Sequence, residues 1–414
     1  MRIRTRPGHP DFLDLPWDTP LADWHHERVV EVPRGAHRHV VQFVDYDGAL
    51  YALKELPPRL AEREYRLLRS MAEESLPVVE AVGTVSRGSP LEDVLVTRYL
   101  DYSLPYRMLF ARATRETRDA RGISDRLLDS LVMLLVRLHL AGFSWGDCSL
   151  NNALFRRDAG ALAAYVVDAE TAEWHPQLTA GQRRADLDIT VLNVAGGLMD
   201  LQSQFELPPE PDPAEIADDL EGRYANLWDE LTTDAVIDRG DRHGVEGRMR
   251  RLNELGFDVE EVELIAAEDG DRLILRTIVA EAGHHRRRLL SLTGLDAQEN
   301  QARSLLNDMA NFRAYHERED GRPMADTVAA YRWLSEVFEP TVAAITPEHG
   351  AKREAAELFH EVIEHKWFLS EQAGRDVGLD EALSSYMSTV LPDEPVERNL
   401  LNSADLDEGW MSYG

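Results

Sequence analysis

The sequence predicts an α+β fold in which a small antiparallel sheet leads into a helical region, followed by a second, mostly helical region with one β-hairpin. Alternating apolar and polar residues separated by turn residues cover much of the segment from 28 to 100. Apolar patterns of helical period follow. An acidic, proline-rich run at 206–213 then separates the two halves, as expected of a linker.

Composition limits the classes of function. The chain has 414 residues, enough for two or three domains, and a formal net charge of −30, which disfavours nucleic acid or anionic membranes except at a local basic patch. One cysteine, Cys148, excludes a disulfide framework and a cysteine zinc cluster. With no signal-peptide pattern and no apolar run long enough to cross a bilayer, we expect a cytoplasmic protein without membrane contact.

The first hundred residues predict an arm and a sheet lobe. Residues 1–27 contain four prolines and predict an irregular N-terminal arm, with Trp17 and Trp24 clamping it to the body. The Asp47-Gly48 pair between two alternating runs predicts a hairpin. The lobe, residues 28–100, is completed by a helix at 59–73 and strands near 77–85 and 93–100.

Residues 101–205 predict a helical lobe. Its elements are an apolar helix at 125–140, short strands at 153–156 and 164–167, and a buried helix at 183–201.

Residues 214–414 predict a second domain that is mostly helical. Its hairpin covers 259–267 and 272–280 and turns at Asp269-Gly270. Asp296 and Glu299 have capping-box spacing before a helix that runs to about residue 316. The other predicted helices lie at 214–231, 244–255, 324–338, 350–373 and 379–390.

Four elements in the first half have an order that suits phosphoryl transfer. Lys54, one of three lysines among 45 basic residues, lies in a strand-like run, and Glu64 follows on the next helix. Asp147 and Asn152 lie in the loop after the apolar helix, and Asp168 ends an apolar strand. Such a reaction needs placed charge, Mg²⁺ on oxygen ligands and an acceptor for the proton of the attacking group. Each element alone is more often structural; the ordered set favours a site.

The same residues resemble the protein-kinase-like fold, and in particular the RIO-type atypical kinases and the lipopolysaccharide-kinase-like group. The run LHLAGF at 138–143, GDCSLNN at 146–152 and DAETAEWHP at 168–176 are similar to that group, as are Arg184, Asp186 and Asn193-Val194 on the next helix. The resemblance covers roughly residues 28–205. It departs in the first turn, where Gly35 is the one glycine, and at Trp145, which replaces a catalytic-loop histidine.

The resemblance implies that ATP and Mg²⁺ are cofactors, with either phosphoryl transfer to an unknown acceptor or RIO-like ATP hydrolysis as the activity. Lys54 and Glu64 would position phosphates, Asp147 would be the base or a phosphate acceptor, and Asn152 and Asp168 would hold the metal. The nucleotide would also contact Gly35 and a hinge of four residues: Thr97, Arg98, Tyr99 and Leu100.

Two alternatives remain open from the sequence. The degenerate glycine loop and Trp145 favour a pseudokinase that binds nucleotide as a scaffold or regulatory module. The basic cluster Arg286, Arg287 and Arg288 favours an adaptor for a polyanion, RNA or a protein partner. A zinc-protease interpretation of His360 and His365 fails, because they are five residues apart rather than four. The C-terminal half is similar to an actinobacterial domain of unknown function, which implies no activity.

Overall fold

A computed structural model describes most of the chain. The described residues are 1–32, 39–106, 109, 120–204, 212–238, 242–255, 257–266, 272–345, 349, 352–394 and 396–397. They divide into two compact units: the first contains residues 1–156 and 164–224, and the second contains residues 157–163 and 225–397. Most of the proline-rich run at 206–213 lies outside the described residues.

A six-stranded antiparallel sheet begins the first unit, with the strand order β1-β5-β6-β4-β3-β2. The strands are β1 (Arg2–Thr5), β2 (Val29–Val30), β3 (Val41–Tyr46), β4 (Ala49–Leu56), β5 (Ala81–Ser86) and β6 (Asp93–Arg98). The predicted hairpin is confirmed: Asp47 and Gly48 both have positive φ, 55° and 85°, as its two-residue turn requires. Lys54 lies on the inner strand β4, opposite Val41 on one side and Leu95 on the other.

Residues 2–5 of the N-terminal arm form an edge strand of this sheet, which corrects the prediction of an irregular segment at that point. Strand β1 pairs with β5, and a Cβ at Gly83 would come within 2.2 Å of the Arg4 carbonyl oxygen, so glycine permits the close approach. The proline spacing excluded a helix but not an edge strand. The clamp is confirmed, since the rings of Trp17 and Trp24 are 5.1 Å apart and both are buried against Leu53 and its neighbours in the sheet core.

Replacing Trp17 by alanine is expected to destabilise the protein by about 3–5 kcal/mol, because its ring is 3% exposed and would leave a cavity in the sheet core. The measurement is denaturant unfolding followed by tyrosine and tryptophan fluorescence. Leu13→Ala is the matched control, since Leu13 is 65% exposed in the same arm and should change stability by less than about 0.5 kcal/mol. Equal effects of the two changes would show that the arm is not integral to the core.

The helical part that follows keeps the predicted order, and it belongs to the first unit except for residues 157–163 and 225–232, which belong to the second. It contains α1 (Pro58–Glu73), β7 (Ser103–Leu104), α2 (Ala120–Leu140), β8 (Phe143–Ser144), β9 (Ala153–Asp158), β10 (Ala161–Val166), β11 (Glu173–Trp174), α3 (Ala180–Gln204) and α4 (Pro213–Thr232). Strands β10-β9-β7 form one small sheet and β11-β8 another. The prediction of a buried helix at 183–201 is right for one face of α3 only, since Leu192 on the other face is 73% exposed.

The second unit is mostly helical, as predicted, but its hairpin belongs to a three-stranded sheet, β12-β14-β13. The short strand β12 was not predicted, and the expected turn at Asp269-Gly270 lies outside the described residues. The capping box before the helix Glu299–Asp320 is formed by Gln298 and Gln301, not by the Asp296 and Glu299 pair. The elements are β12 (Ala235–Asp238), α5 (Arg242–Glu254), β13 (Phe257–Ala266), β14 (Arg272–Ala282), α6 (His284–Thr293), α7 (Glu299–Asp320), α8 (Asp326–Trp333), a π-helical turn (Leu334–Phe338), α9 (Glu339–Ala344), α10 (Ala355–Ala373) and α11 (Leu379–Thr389).

The predicted fold class is therefore confirmed: an antiparallel sheet and a helical part are followed by a mostly helical unit. Within the described ranges, no helix combines the length and the apolar character needed to cross a bilayer.

Candidate functional site

Lys54, Glu64 and Asp168 meet at one point, although they come from a strand, a helix and a loop. Lys54 Nζ lies 2.6 Å from Asp168 Oδ2 and 3.1 and 3.2 Å from the two carboxylate oxygens of Glu64. Glu64 is on the buried face of α1, and its side chain is 0% exposed. Three of the predicted site residues are thus in direct contact, and the ammonium is held from both sides.

Burial and charge act against each other in this trio. Burial raises the pKa of Glu64 to about 7, assisted by the Asp168 carboxylate. For Lys54, burial alone would lower the pKa, but the carboxylates of Glu64 and Asp168 outweigh it and the pKa is raised. For Asp168, the ammonium outweighs burial and lowers the pKa. The ion pair therefore favours the charged forms of Lys54 and Asp168, whereas burial favours the neutral form of Glu64.

Asp147 and Asn152 also meet, in the loop that follows α2 and β8. Asn152 Nδ2 donates to the carbonyl oxygen of Asp147 at 2.9 Å and to Asp147 Oδ2 at 3.0 Å. Asn193 of α3 donates to Asp147 Oδ1 at 2.9 Å and to the carbonyl oxygen of Cys148 at 3.2 Å. Asp147 is exposed, so its carboxylate is oriented by two amides while it faces solvent.

A buried carboxylate, Asp186 of α3, fixes the backbone of this loop. Its Oδ1 accepts the N–H of Gly146 at 2.7 Å, and its Oδ2 accepts the N–H of Trp145 at 2.7 Å. His139 Nε2 lies 2.9 Å from Oδ2, and His139 Nδ1 is 2.7 Å from the Tyr224 hydroxyl. Burial alone would raise the pKa of Asp186, but these hydrogen bonds outweigh it and lower the pKa. The sequence singled out Asp186 through a motif without assigning this role.

The loop is also tied to the Asp168 segment. The indole Nε1 of Trp145 donates to the carbonyl oxygen of Asp168 at 2.8 Å, and Val167 N donates to the carbonyl oxygen of Asn152 at 3.1 Å. Thr171 Oγ1 donates to the carbonyl oxygen of Trp145 at 2.8 Å. Trp145 is 0% exposed, and its hydrogen bonds connect the two segments. The pair Lys54 with Asp168 and the pair Asp147 with Asn152 are therefore linked by the Val167–Asn152 hydrogen bond and by the side chain of Trp145.

Sequence reasoning missed Glu170, which lies near Lys54, and Arg63, which holds the backbone at Glu170. Glu170 Oε2 lies 3.9 Å from Lys54 Nζ and 2.9 Å from His39 Nε2. Arg63 of α1 donates to the carbonyl oxygens of Glu170 and Ala172 at 2.5 and 2.7 Å. These contacts hold the chain after Asp168 against the sheet and α1. No spacing rule in the sequence pointed to them, because each pair is more than 100 positions apart.

The predicted nucleotide contacts are only partly described. Gly35 lies outside the described residues. Thr97 and Arg98 end β6, and the N–H groups of Arg98 and Tyr99 donate to the carbonyl oxygens of Glu80 and Leu50, both at 2.9 Å. An adenine at this segment would therefore use Leu100 or residues after it rather than those two amides. The role of the segment stays a prediction.

The predicted anion patch lies at the start of α6 in the second unit. Arg286 donates to both carboxylate oxygens of Asp296, at 2.6 and 2.9 Å. The carboxylate of Glu299 accepts the N–H groups of His285 and Arg286, at 2.8 and 3.1 Å, so it already fills the helix N-terminus. Arg287 and Arg288 lie on the same helix. A role in binding anions stays a prediction, and it would require these intramolecular pairs to open.

Three similarities to known proteins each cover a part of the chain. Residues 226–391 match the family model "Domain of unknown function (DUF4032)", in line with the predicted similarity of the C-terminal half to such a domain. No curated protein matches. The solved structure "WaaP in complex with acyl carrier protein" is 19% identical, with 48% of this chain and 90% of that chain covered and a TM-score of 0.33. The "Crystal structure of BubR1 kinase domain" is 14% identical, with 40% and 53% covered and a TM-score of 0.31.

The donor set of the first unit suits a hard cation bound together with phosphates. Across the described residues, no group of three or more His, Cys, Asp and Glu side chains is arranged to hold a metal by itself. Mg²⁺ commonly uses one or two protein oxygens, with phosphates and water completing its shell. Asp168 offers a carboxylate that is 29% exposed. Asn152 uses its Nδ2 for both hydrogen bonds to Asp147, so its Oδ1 is the atom that a cation would use.

Proposed function

We propose that the first unit is a protein-kinase-like domain that binds ATP with Mg²⁺. It would either transfer the γ-phosphoryl group to an acceptor or hydrolyse ATP. The observation that carries the proposal is the position of the Lys54 ammonium between Glu64 and Asp168. A strand lysine fixed by a helix carboxylate, next to a carboxylate at a strand end, supplies the charges that a triphosphate and its metal require. The residues after the proline-rich run would form a separate domain.

In this proposal Asp168 and Asn152 would hold Mg²⁺, which would neutralise charge on the phosphates when bound. Asp168 now pairs with Lys54 at 2.6 Å, so a cation at Asp168 would compete with the ammonium. If the ammonium of Lys54 left Asp168, Glu64 would keep it beside the site, because the two carboxylate oxygens of Glu64 hold the ammonium from the α1 side. Lys54 would then turn toward a phosphate while remaining paired.

Asp147 would accept the proton of the attacking hydroxyl or water, or would itself be phosphorylated. Asn152 and Asn193 donate to different carboxylate oxygens of Asp147, which fixes the plane of the group. Each oxygen retains a second lone pair that can accept a proton. Because Asp147 is exposed, an acceptor can approach it without a change in the loop.

The Lys54–Asp168 ion pair also favours a second candidate, a nucleotide-sensing module without turnover. In this arrangement the ammonium and both acids are satisfied without a metal. Such a domain would respond to ATP by exchanging one set of ion pairs for another. Binding without γ-phosphate release distinguishes this candidate from the first.

Lys54→Met is expected to weaken binding of Mg²⁺·ATP by at least about tenfold, because it removes the point charge that contacts the phosphates. Isothermal titration calorimetry gives the affinity, and release of labelled phosphate from γ-labelled ATP separates turnover from binding. Lys366→Met is the matched control, since Lys366 forms an ion pair with Asp376 in the second unit. A Lys54→Met protein that binds ATP as tightly as the unaltered chain would refute the proposal.

A further inference from the structure

Helix α3 has two apolar faces; in the part of the chain that the structure describes, one is buried and the other is exposed. Its buried face includes Leu187, Val194 and Leu201. On the opposite side Ile189, Leu192 and Met199 are 38%, 73% and 49% exposed. A helix on the surface of a globular unit normally presents polar residues there. The second face therefore requires an explanation beyond the core of the first unit.

The exposed positions follow a repeat typical of helix pairing. We define the α3 stripe as residues 185, 189, 192, 196, 199 and 203, whose spacing alternates between four and three positions. Steps of four and three that alternate repeat every seven residues, which is the heptad of a seam between two helices. The stripe contains both sizes of side chain: Ile189, Leu192 and Met199 are large, and the small residues Ala185, Gly196 and Ser203 lie at its two ends and between Leu192 and Met199. A Cβ at Gly196 would meet nothing within 4 Å, so there is room for a side chain of a partner.

Charge argues against a second copy of this chain as the partner. In an antiparallel pair centred between positions 192 and 196, Leu192 would pack over Gly196 of the copy, but Asp188 would face Asp200 twice. Both aspartates are exposed. Each copy also carries a formal net charge of −30. Like charges directly opposed across a helix seam destabilise it.

The charges beside the stripe are predominantly acidic. Arg184, the exposed arginine at the start of the helix, already pairs with Asp188 at 2.8 Å and with Glu221 of α4. Asp200 lies near the other end of the stripe. Acidic flanks and a strongly acidic chain also disfavour an anionic membrane as the occupant. A partner that carries basic residues on both sides of an apolar seam is complementary in shape and in charge.

We propose that the α3 stripe is a docking surface for a basic amphipathic helix of another protein. The partner would place large apolar side chains over Ala185, Gly196 and Ser203 and direct Lys or Arg toward Asp188 and Asp200. Asn193 follows Leu192 on the same helix and donates to Asp147, so a docked helix would lie next to the candidate catalytic loop. The proposal holds whether or not the first unit turns over ATP.

The test uses the whole chain and three fluorescent synthetic peptides of equal length, studied by fluorescence anisotropy without nucleotide. The first has leucines at heptad a and d positions with lysine at e and g, the second has glutamate in place of lysine, and the third is the first with its order scrambled. We expect the basic peptide to bind most tightly. Leu192→Ser combined with Met199→Ser should weaken its binding by about tenfold or more, since both apolar contacts are lost.

Val328→Ser is the control variant, because Val328 is also an exposed apolar residue on a helix, 49% exposed, but lies in the second unit. It should bind the basic peptide like the unaltered chain. Every variant keeps the net charge, so binding that depends only on non-specific attraction would be the same with and without the double substitution. Binding of the basic peptide that the double substitution leaves unchanged, or equal binding of the scrambled peptide, would overturn the proposal.

Two further results would also overturn it by identifying a different occupant. Sedimentation velocity that shows a dimer lost on Leu192→Ser would make a second copy the occupant. A photo-crosslinking residue at position 192 that reacts only within its own chain would show that another segment of the protein covers the stripe.

Discussion

Replacing Asp168 by asparagine is expected to lower Mg²⁺-dependent ATP turnover by about 100-fold or more, because it removes the carboxylate that would hold the cation in the proposed site. The change keeps the shape of the side chain. It removes the charge that pairs with Lys54 at 2.6 Å. Labelled phosphate release at several Mg²⁺ concentrations measures the effect, and partial recovery at high Mg²⁺ would indicate weakened metal binding.

Asp129→Asn serves as the control for this experiment. Asp129 is an acidic residue of the first unit, 67% exposed, that pairs with Arg223 on the surface. Replacing Asp129 should leave turnover within about twofold of that of the unaltered chain, since exposed ion pairs contribute little to stability. If Asp168→Asn retains full turnover while its fold is intact by circular dichroism, the assignment of the metal to Asp168 is wrong.

Replacing Asp186 by asparagine is expected to reduce the free energy of unfolding of the first unit by about 3 kcal/mol. The native carboxylate accepts backbone N–H groups from both Trp145 and Gly146 and contacts His139. An asparagine has one acceptor oxygen, so its NH₂ group would face the N–H of either Trp145 or Gly146, which would lose its acceptor. Denaturant unfolding measures the loss, and a change below about 1 kcal/mol would contradict the role of Asp186 as an organiser of the loop.

The stability difference between the unaltered chain and Asp186→Asn is expected to depend on pH. The pKa of Asp186 is lowered in the folded protein, so its contribution to stability is present above its unfolded-state pKa of about 3.9. It is lost as the pH falls through the lower folded-state pKa. The stability difference between the unaltered chain and Asp186→Asn should therefore be present near neutrality and shrink in strong acid. A difference that persists undiminished in strong acid would show that the carboxylate is not stabilised in this way.

Local patterns were sufficient to predict much of the candidate site. The alternation around Lys54, the helical period around Glu64 and the apolar run before Asp168 each specify an element, and their order suggested the contacts that the structure contains. The hinge and Gly35 depend on the resemblance alone and remain predictions. The Asp47-Gly48 hairpin was predictable because both residues tolerate the left-handed backbone that the turn needs.

Other features depend on contacts between distant positions and could not be read from local patterns. Strand β1 is stabilised by its pairing with β5, about 80 positions away, while its proline-rich surroundings indicate only that no helix forms. The Gln298 and Gln301 capping box replaced the expected pair because the helix begins at Glu299, three residues after Asp296. The exposed face of α3 was missed because an apolar pattern shows what a helix can bury and not whether a neighbour is present.

A crystal structure of the protein with Mg²⁺ and a non-hydrolysable ATP analogue tests the central claim most directly. The proposal predicts that Lys54 Nζ contacts a phosphate oxygen while still paired with Glu64, and that Asp168 and Asn152 coordinate the metal. A nucleotide bound elsewhere, with Lys54 still paired to Asp168 as it is now, would contradict it.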